Sequence, residues 1–206
     1  MSKKIIIISI IVIVMIIMAF GAWVFLSQKE EKGFYTRHYN IDLINIESIE
    51  GITSEMAQEY KEKFIEYQDI LEEATKNYEE EGREVEKKPN PDFFVEKARY
   101  ANYLGQTDWA IEILNNLFNY YDNSSVAWNN LAKLYEKKGD YNKANEYYQK
   151  IIDVFSEKQY WGFYYYIAKN YLIMDNKEKR KEYYEKYKKF GGSDSEIEEY
   201  LTGQTQ

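Results

Sequence analysis

The stretch Leu104-Gly105-Gln106-Thr107-Asp108-Trp109-Ala110 returns in outline as Lys138-Gly139-Asp140-Tyr141-Asn142-Lys143-Ala144. Gly105 and Gly139 stand 34 positions apart, and so do Ala110 and Ala144, Ala98 and Ala132, and Tyr121 and Phe155. A fixed period of this size marks a supersecondary unit that is repeated and stacked, because one such unit cannot bury its apolar face alone. A third unit follows at an offset of 36. Ile167, Ala168 and Tyr171 take the places of Leu131, Ala132 and Tyr135, and Tyr183-Tyr184 those of Tyr147-Tyr148. In that unit Asp175 replaces the turn glycine and Arg180 the small alanine.

The pattern within each unit reads as two amphipathic helices joined by a tight turn. Alanines at 98, 110, 132, 144 and 168 allow helix axes to approach, and Leu131, Tyr135 and Tyr148 fill the spaces between. Gly105 and Gly139 suit the left-handed position that ends a helix, where a Cβ is unfavourable. The spacing predicts helices at about 92–104, 108–121, 125–138, 141–155, 159–174 and 177–189. Gly191-Gly192 then breaks the chain, and Ser193 or Asp194 is placed to cap a short last helix through Leu201 that covers the end of the stack.

The middle unit, with Trp128, Leu131, Ala132, Tyr135, Gly139, Tyr141, Ala144 and Tyr148, resembles the tetratricopeptide repeat (TPR) family. The family's trailing proline would fall at Ser156. The first unit keeps Phe94, Ala98, Gly105, Ala110 and Leu114 but has Lys97 where leucine is usual. The resemblance spans about half the chain, from Pro91 to Phe190. It implies an α-solenoid of about three repeats whose first helices line a concave groove that receives a protein or peptide partner. Carried over position by position, that groove holds Arg99, Asn102, Asn129, Asn130, Lys133, Tyr165 and Lys169. Three of these are cations at the ninth position of each unit, on a chain of net charge −8. They imply a partner segment bearing an acidic residue or a free carboxylate, with the asparagines binding its backbone. Of the carboxylate clamp known in some relatives only Asn130 is matched, since Val95 and Gly162 stand where its lysines belong. The competing reading leaves the three cations as solvated surface residues.

Ahead of the repeats, Ile5 to Leu26 is an uncharged run rich in Ile, Val and Met, with Lys3 and Lys4 before it and Trp23 near its end. As a helix it reaches roughly 33 Å, enough for a hydrocarbon core. The expectation is therefore an all-α chain with an N-terminal transmembrane helix, N-terminus cytoplasmic and repeats extracytoplasmic. A cleaved signal peptide ending at Gly21 is the alternative. The expected division is an anchor over 1–30, a juxtamembrane region over 31–90, repeats over 91–190 and a cap with tail over 191–206. Within the juxtamembrane region Met56, Tyr60, Phe64, Tyr67, Leu71, Ala74 and Tyr78 form one stripe, predicting a helix over about 53–81 with Ser54 as N-cap. That stripe either shields the first repeat or pairs with a second copy as a coiled coil. Residues 33–52 show no period.

Composition removes several functions. With no Cys there is neither a disulfide nor a thiolate site. A pI near 5.0 opposes nucleic-acid binding. No phosphate-binding glycine motif occurs, the one histidine is His38, and the carboxylates sit in solvated runs such as Glu79-Glu80-Glu81. No cofactor or metal is expected, and the chain reads as a scaffold, not an enzyme. The secretion or envelope-assembly role rests on layout alone. The rivals are a self-associating structural protein of the membrane surface and an enzyme with an unrecognised site.

Overall fold

A computed structural model describes residues 39–45, 49, 51–83, 88–195 and 197–198. Among these residues the chain is all-helical, with eight α-helices and one 3-10 turn at Ile41–Leu43. α1 spans Ser54–Glu80, α2 Pro91–Tyr103, α3 Thr107–Leu117, α4 Ser125–Lys137, α5 Tyr141–Val154, α6 Glu157–Tyr160, α7 Phe163–Ile173 and α8 Lys177–Lys189. The pairs α2/α3, α4/α5 and α7/α8 are the repeated units, and each packs on the next.

No helix among the described residues is long and apolar enough to cross a membrane. The expected transmembrane helix over 5–26 is corrected accordingly: the fold class is an all-helical repeat array, and that run lies outside the described residues. The placement of the chain as a single-pass membrane protein with extracytoplasmic repeats falls with it. His38 also lies outside.

Turn chemistry places the helix ends. Asn90 accepts the amide of Asp92 and puts Pro91 in the first helical turn, where its missing N–H is no loss. Ser124, Asp140 and Asn176 accept from Ala127, Lys143 and Lys179 in the same manner. Gly105 and Gly139 adopt φ +75° and +77°. Asp175 takes the corresponding left-handed place in the third unit at φ 53°, a conformation aspartate tolerates better than most residues. Thr53, and not Ser54, caps α1: the chain enters extended at Thr53, whose Oγ1 accepts the Met56 amide at 3.2 Å.

Two predicted helices differ in extent. α3 stops at Leu117, because Phe118, Asn119 and Tyr120 close three-residue hydrogen bonds that tighten the turn. The span predicted over 159–174 is split into α6 and α7 by a turn at Trp161–Gly162, and this connection accommodates the offset of 36.

The interiors of the units follow the small-and-large pattern. Ala98, Ala110, Ala132, Ala144 and Ala168 are buried beside Leu114, Trp128, Leu131 and Tyr148. Arg180 lies at the third unit's small position and is 1% exposed. α1 lays its stripe on α2: Tyr67 stacks on Tyr100 at 5.9 Å, and Tyr60 meets Tyr100 and Tyr103. The stripe is thus occupied within the chain. Tyr39, from the stretch without sequence period, is buried between Phe64 and Trp109 at 5.9 and 4.9 Å. At the other end Tyr184 donates to the Asp194 carbonyl and accepts the Asp194 amide, while the Asp194 carboxylate accepts the Ile197 amide. Ile197 then covers Ala168 and Tyr184.

Candidate functional site

The first helices of units one and two, α2 and α4, lie beside each other and leave a concave cavity of about 220 Å³ between them. Val95, Ala98, Leu114 and Leu134 give it an apolar floor. Its polar rim is Arg99, Asn102, Asn130, Lys133 and Lys137. Among the described residues no carboxylate lines it, and three cations share one small concavity.

The rim is held by few bonds. Lys137 Nζ reaches across from α4 to donate to Asn102 Oδ1 at 2.7 Å, and Thr107 Oγ1 donates to the same oxygen at 3.4 Å. Arg99 Nη2 pairs with Glu96 Oε1 at 2.8 Å, one turn back on the same helix, in a pair whose arginine is half-exposed. Such a pair contributes only ~0.3–0.5 kcal/mol and leaves the guanidinium free to take a stronger partner. Asn130 Nδ2 donates to the Val126 carbonyl at 2.8 Å. Lys133 is exposed and has no hydrogen-bonding or ion-pair partner among the described residues.

Of the seven residues expected to form the groove, the fold brings Arg99, Asn102, Asn130 and Lys133 to one cavity. Asn129 turns its Oδ1 into the protein, where it accepts no hydrogen bond among the described residues. Tyr165 and Lys169 belong to α7 and do not line this cavity. Tyr165 packs on Tyr187 at 5.5 Å, and Lys169 Nζ lies 5.9 Å from the Tyr165 ring. Lys137 and Tyr103, which line the cavity, were not among the expected residues. Lys137 lies four residues beyond Lys133, one helical turn along the same face, and Tyr103 holds the equivalent place in the first unit. That spacing was the available signal.

Lys97, the lysine at a leucine position, is not part of the groove. Its stem is buried between α1 and α2, with Nζ 5.1 Å from the Tyr39 ring centroid and 5.3 Å from that of Phe64. Burial pulls its pKa down from 10.5 to about 8, against the opposing pull of Glu72, Asp69 and Glu112. Among the described residues no three His, Cys, Asp or Glu side chains converge as a metal site.

Residues 125–157, which hold α4 and α5, match the tetratricopeptide repeat family. The match is confined to the second helical pair. No curated protein matches the chain. Among solved structures the crystal structure of MamA is similar, at 17% identity and a TM-score of 0.44, covering 71% of this chain and 89% of that one. The TPR reading of the other two pairs rests on their helix geometry and on the recurrence of Gly105, Ala110 and Ala168 at repeat positions.

Proposed function

We propose that the protein is a protein-interaction scaffold whose α2/α4 groove receives an acidic segment of a partner. The observation that carries the reading is the groove's charge. Arg99, Lys133 and Lys137 converge with no lining carboxylate among the described residues, on a chain of net charge −8. Lys133, held in the concavity without a counter-ion among the described residues, is a poor contributor to folding and a good anchor for an anion. Asn102 and Asn130 supply the amide groups that a peptide main chain needs, and the Val95/Ala98 floor accepts a small apolar side chain. A binding module, and not an enzyme, is what this chemistry suits.

The test is fluorescence anisotropy with a labelled peptide in which glutamate alternates with alanine. The full chain should bind it with an affinity that falls as salt rises. Lys133→Glu should weaken binding by roughly tenfold or more, the scale of one charge-assisted bond and its reversal. Unchanged affinity in that variant, or equal binding of a lysine–alanine peptide, defeats the reading.

A further inference from the structure

A second and larger concavity lies among the helices of units two and three. It is lined by α5 together with Tyr171 of α7 and Tyr183 of α8, has a volume of about 690 Å³, and shares no residue with the basic groove. That volume is within the usual ~300–1,000 Å³ of ligand sites.

Its floor contains Asn145, which is 6% exposed. The orientation of this amide is fixed from behind. Asn170 Nδ2, itself buried, donates at 2.9 Å to Asn145 Oδ1 and at 2.9 Å to the Glu136 carboxylate, so Asn145 must present its oxygen to Asn170. Asn145 Nδ2 is left without an acceptor among the described residues. A buried donor without an acceptor is unfavourable by ~1–3 kcal/mol, and native interiors retain few of them. Here the residue that carries the lone donor lines an open crevice, with the amide nitrogen just beneath its surface.

The charge of the rim is opposite to that of the first groove. Glu146 and Asp153 are exposed on α5, paired among the described residues only with Lys143 at 3.2 Å and with the Gln149 amide at 2.7 Å, respectively. Lys150, the one cation of the lining among the described residues, is drawn aside onto the Trp128 ring, 4.3 Å from its centroid. Tyr171 and Tyr183, stacked at 5.6 Å, and Val154 form the apolar wall.

We propose that this crevice is a second binding site, which takes an extended peptide segment bearing an arginine or lysine. A main-chain carbonyl of the segment accepts from Asn145 Nδ2. The basic side chain lays its stem along the tyrosine wall and reaches Asp153 and Glu146 with its charged head. The scaffold then holds two segments of opposite charge on separate surfaces. This inference stands whether or not the basic groove binds an acidic segment.

The test uses the full chain and an acetylated, amidated alanine hexapeptide with arginine at its second and fifth positions. Its binding should shift the Asn145 side-chain amide resonance. Asn145→Ala removes the free donor, together with the acceptor for Asn170, and adds no charge. Asp153→Lys alters an exposed residue, so the test survives a folding defect in the first variant. Each should weaken the hexapeptide by roughly tenfold, while Lys133→Glu should leave it unchanged. The proposal is overturned if both variants bind as the native chain does, if a glutamate hexapeptide binds equally well, or if the shifts fall at Arg99 and Lys133. Protection of the Asn145 amide through self-association, with a second copy filling the crevice, overturns it as well.

Discussion

Replacing Lys97 by leucine should stabilise the protein. Lys97 is 1% exposed in the seam between α1 and α2, where the repeat pattern calls for leucine. Burial pulls its pKa from 10.5 to about 8. Each pKa unit corresponds to about 1.4 kcal/mol, so holding the charge in the fold is unfavourable by about 3 kcal/mol at pH 7. Leucine removes that term and also loses the contacts of the ammonium with the Tyr39 and Phe64 rings, together with some shape match. The net expectation is a gain of about 1–3 kcal/mol at neutral pH, read by urea unfolding. The pH dependence has a definite sign. The folded pKa lies below the unfolded one, so between pH 8 and 10.5 the unfolded chain holds a proton that the folded chain lacks, and native stability rises with pH in that window. The advantage of Lys97→Leu should therefore shrink to about 1 kcal/mol or less by pH 10. A variant less stable than native at pH 7 by more than about 1 kcal/mol, or a difference that does not change with pH, refutes the reasoning.

Three further outcomes follow from particular contacts. Gly139→Ala should destabilise by about 1–2 kcal/mol through backbone strain alone, since φ is +77° and the added Cβ meets nothing within 4 Å; thermal melting reads it. Asn170→Ala should be more damaging, about 2–4 kcal/mol, because Glu136 and Asn145 lose their shared donor; equal stability would show that the polar seam between units two and three contributes nothing. In an ultraviolet titration Tyr164 should ionise late, because burial and its bond to Glu157 push its pKa up to about 12. Its folded pKa lies above the unfolded value near 10, so it supports folding below pH 10 and that support is lost as pH climbs through 12. Tyr120 and Tyr148, pushed higher still by burial, should ionise only as the chain unfolds.

The repeated helices were legible because their signals are local. Glycine at a left-handed turn, a capping side chain and an alanine at a close approach act within a few residues and recur at a fixed distance. The turn at Trp161–Gly162 was not legible, since a short apolar stretch favours one long helix until neighbouring units restrict its length. Tyr39 was hidden for a related reason: its burial depends on Phe64 and Trp109, far along the chain. In the groove, charge at the ninth repeat position drew attention to Arg99 and Lys133. Lys137 needed the helix drawn in three dimensions. Lys169 shares that ninth position and Tyr165 stands at the fifth of its unit, but aromatic partners on α7 and α8 engage them instead. The hydropathy of 5–26 was the clearest signal of all, and that run lies outside the described residues.

The groove itself is tested most directly by heteronuclear chemical-shift mapping of the full chain with the unlabelled glutamate–alanine peptide. Shifts confined to Arg99, Asn102, Asn130, Lys133 and Lys137, lost in Lys133→Glu, are the predicted result. Shifts spread over other helices, or a spectrum that the peptide leaves unchanged at low salt, would contradict the account.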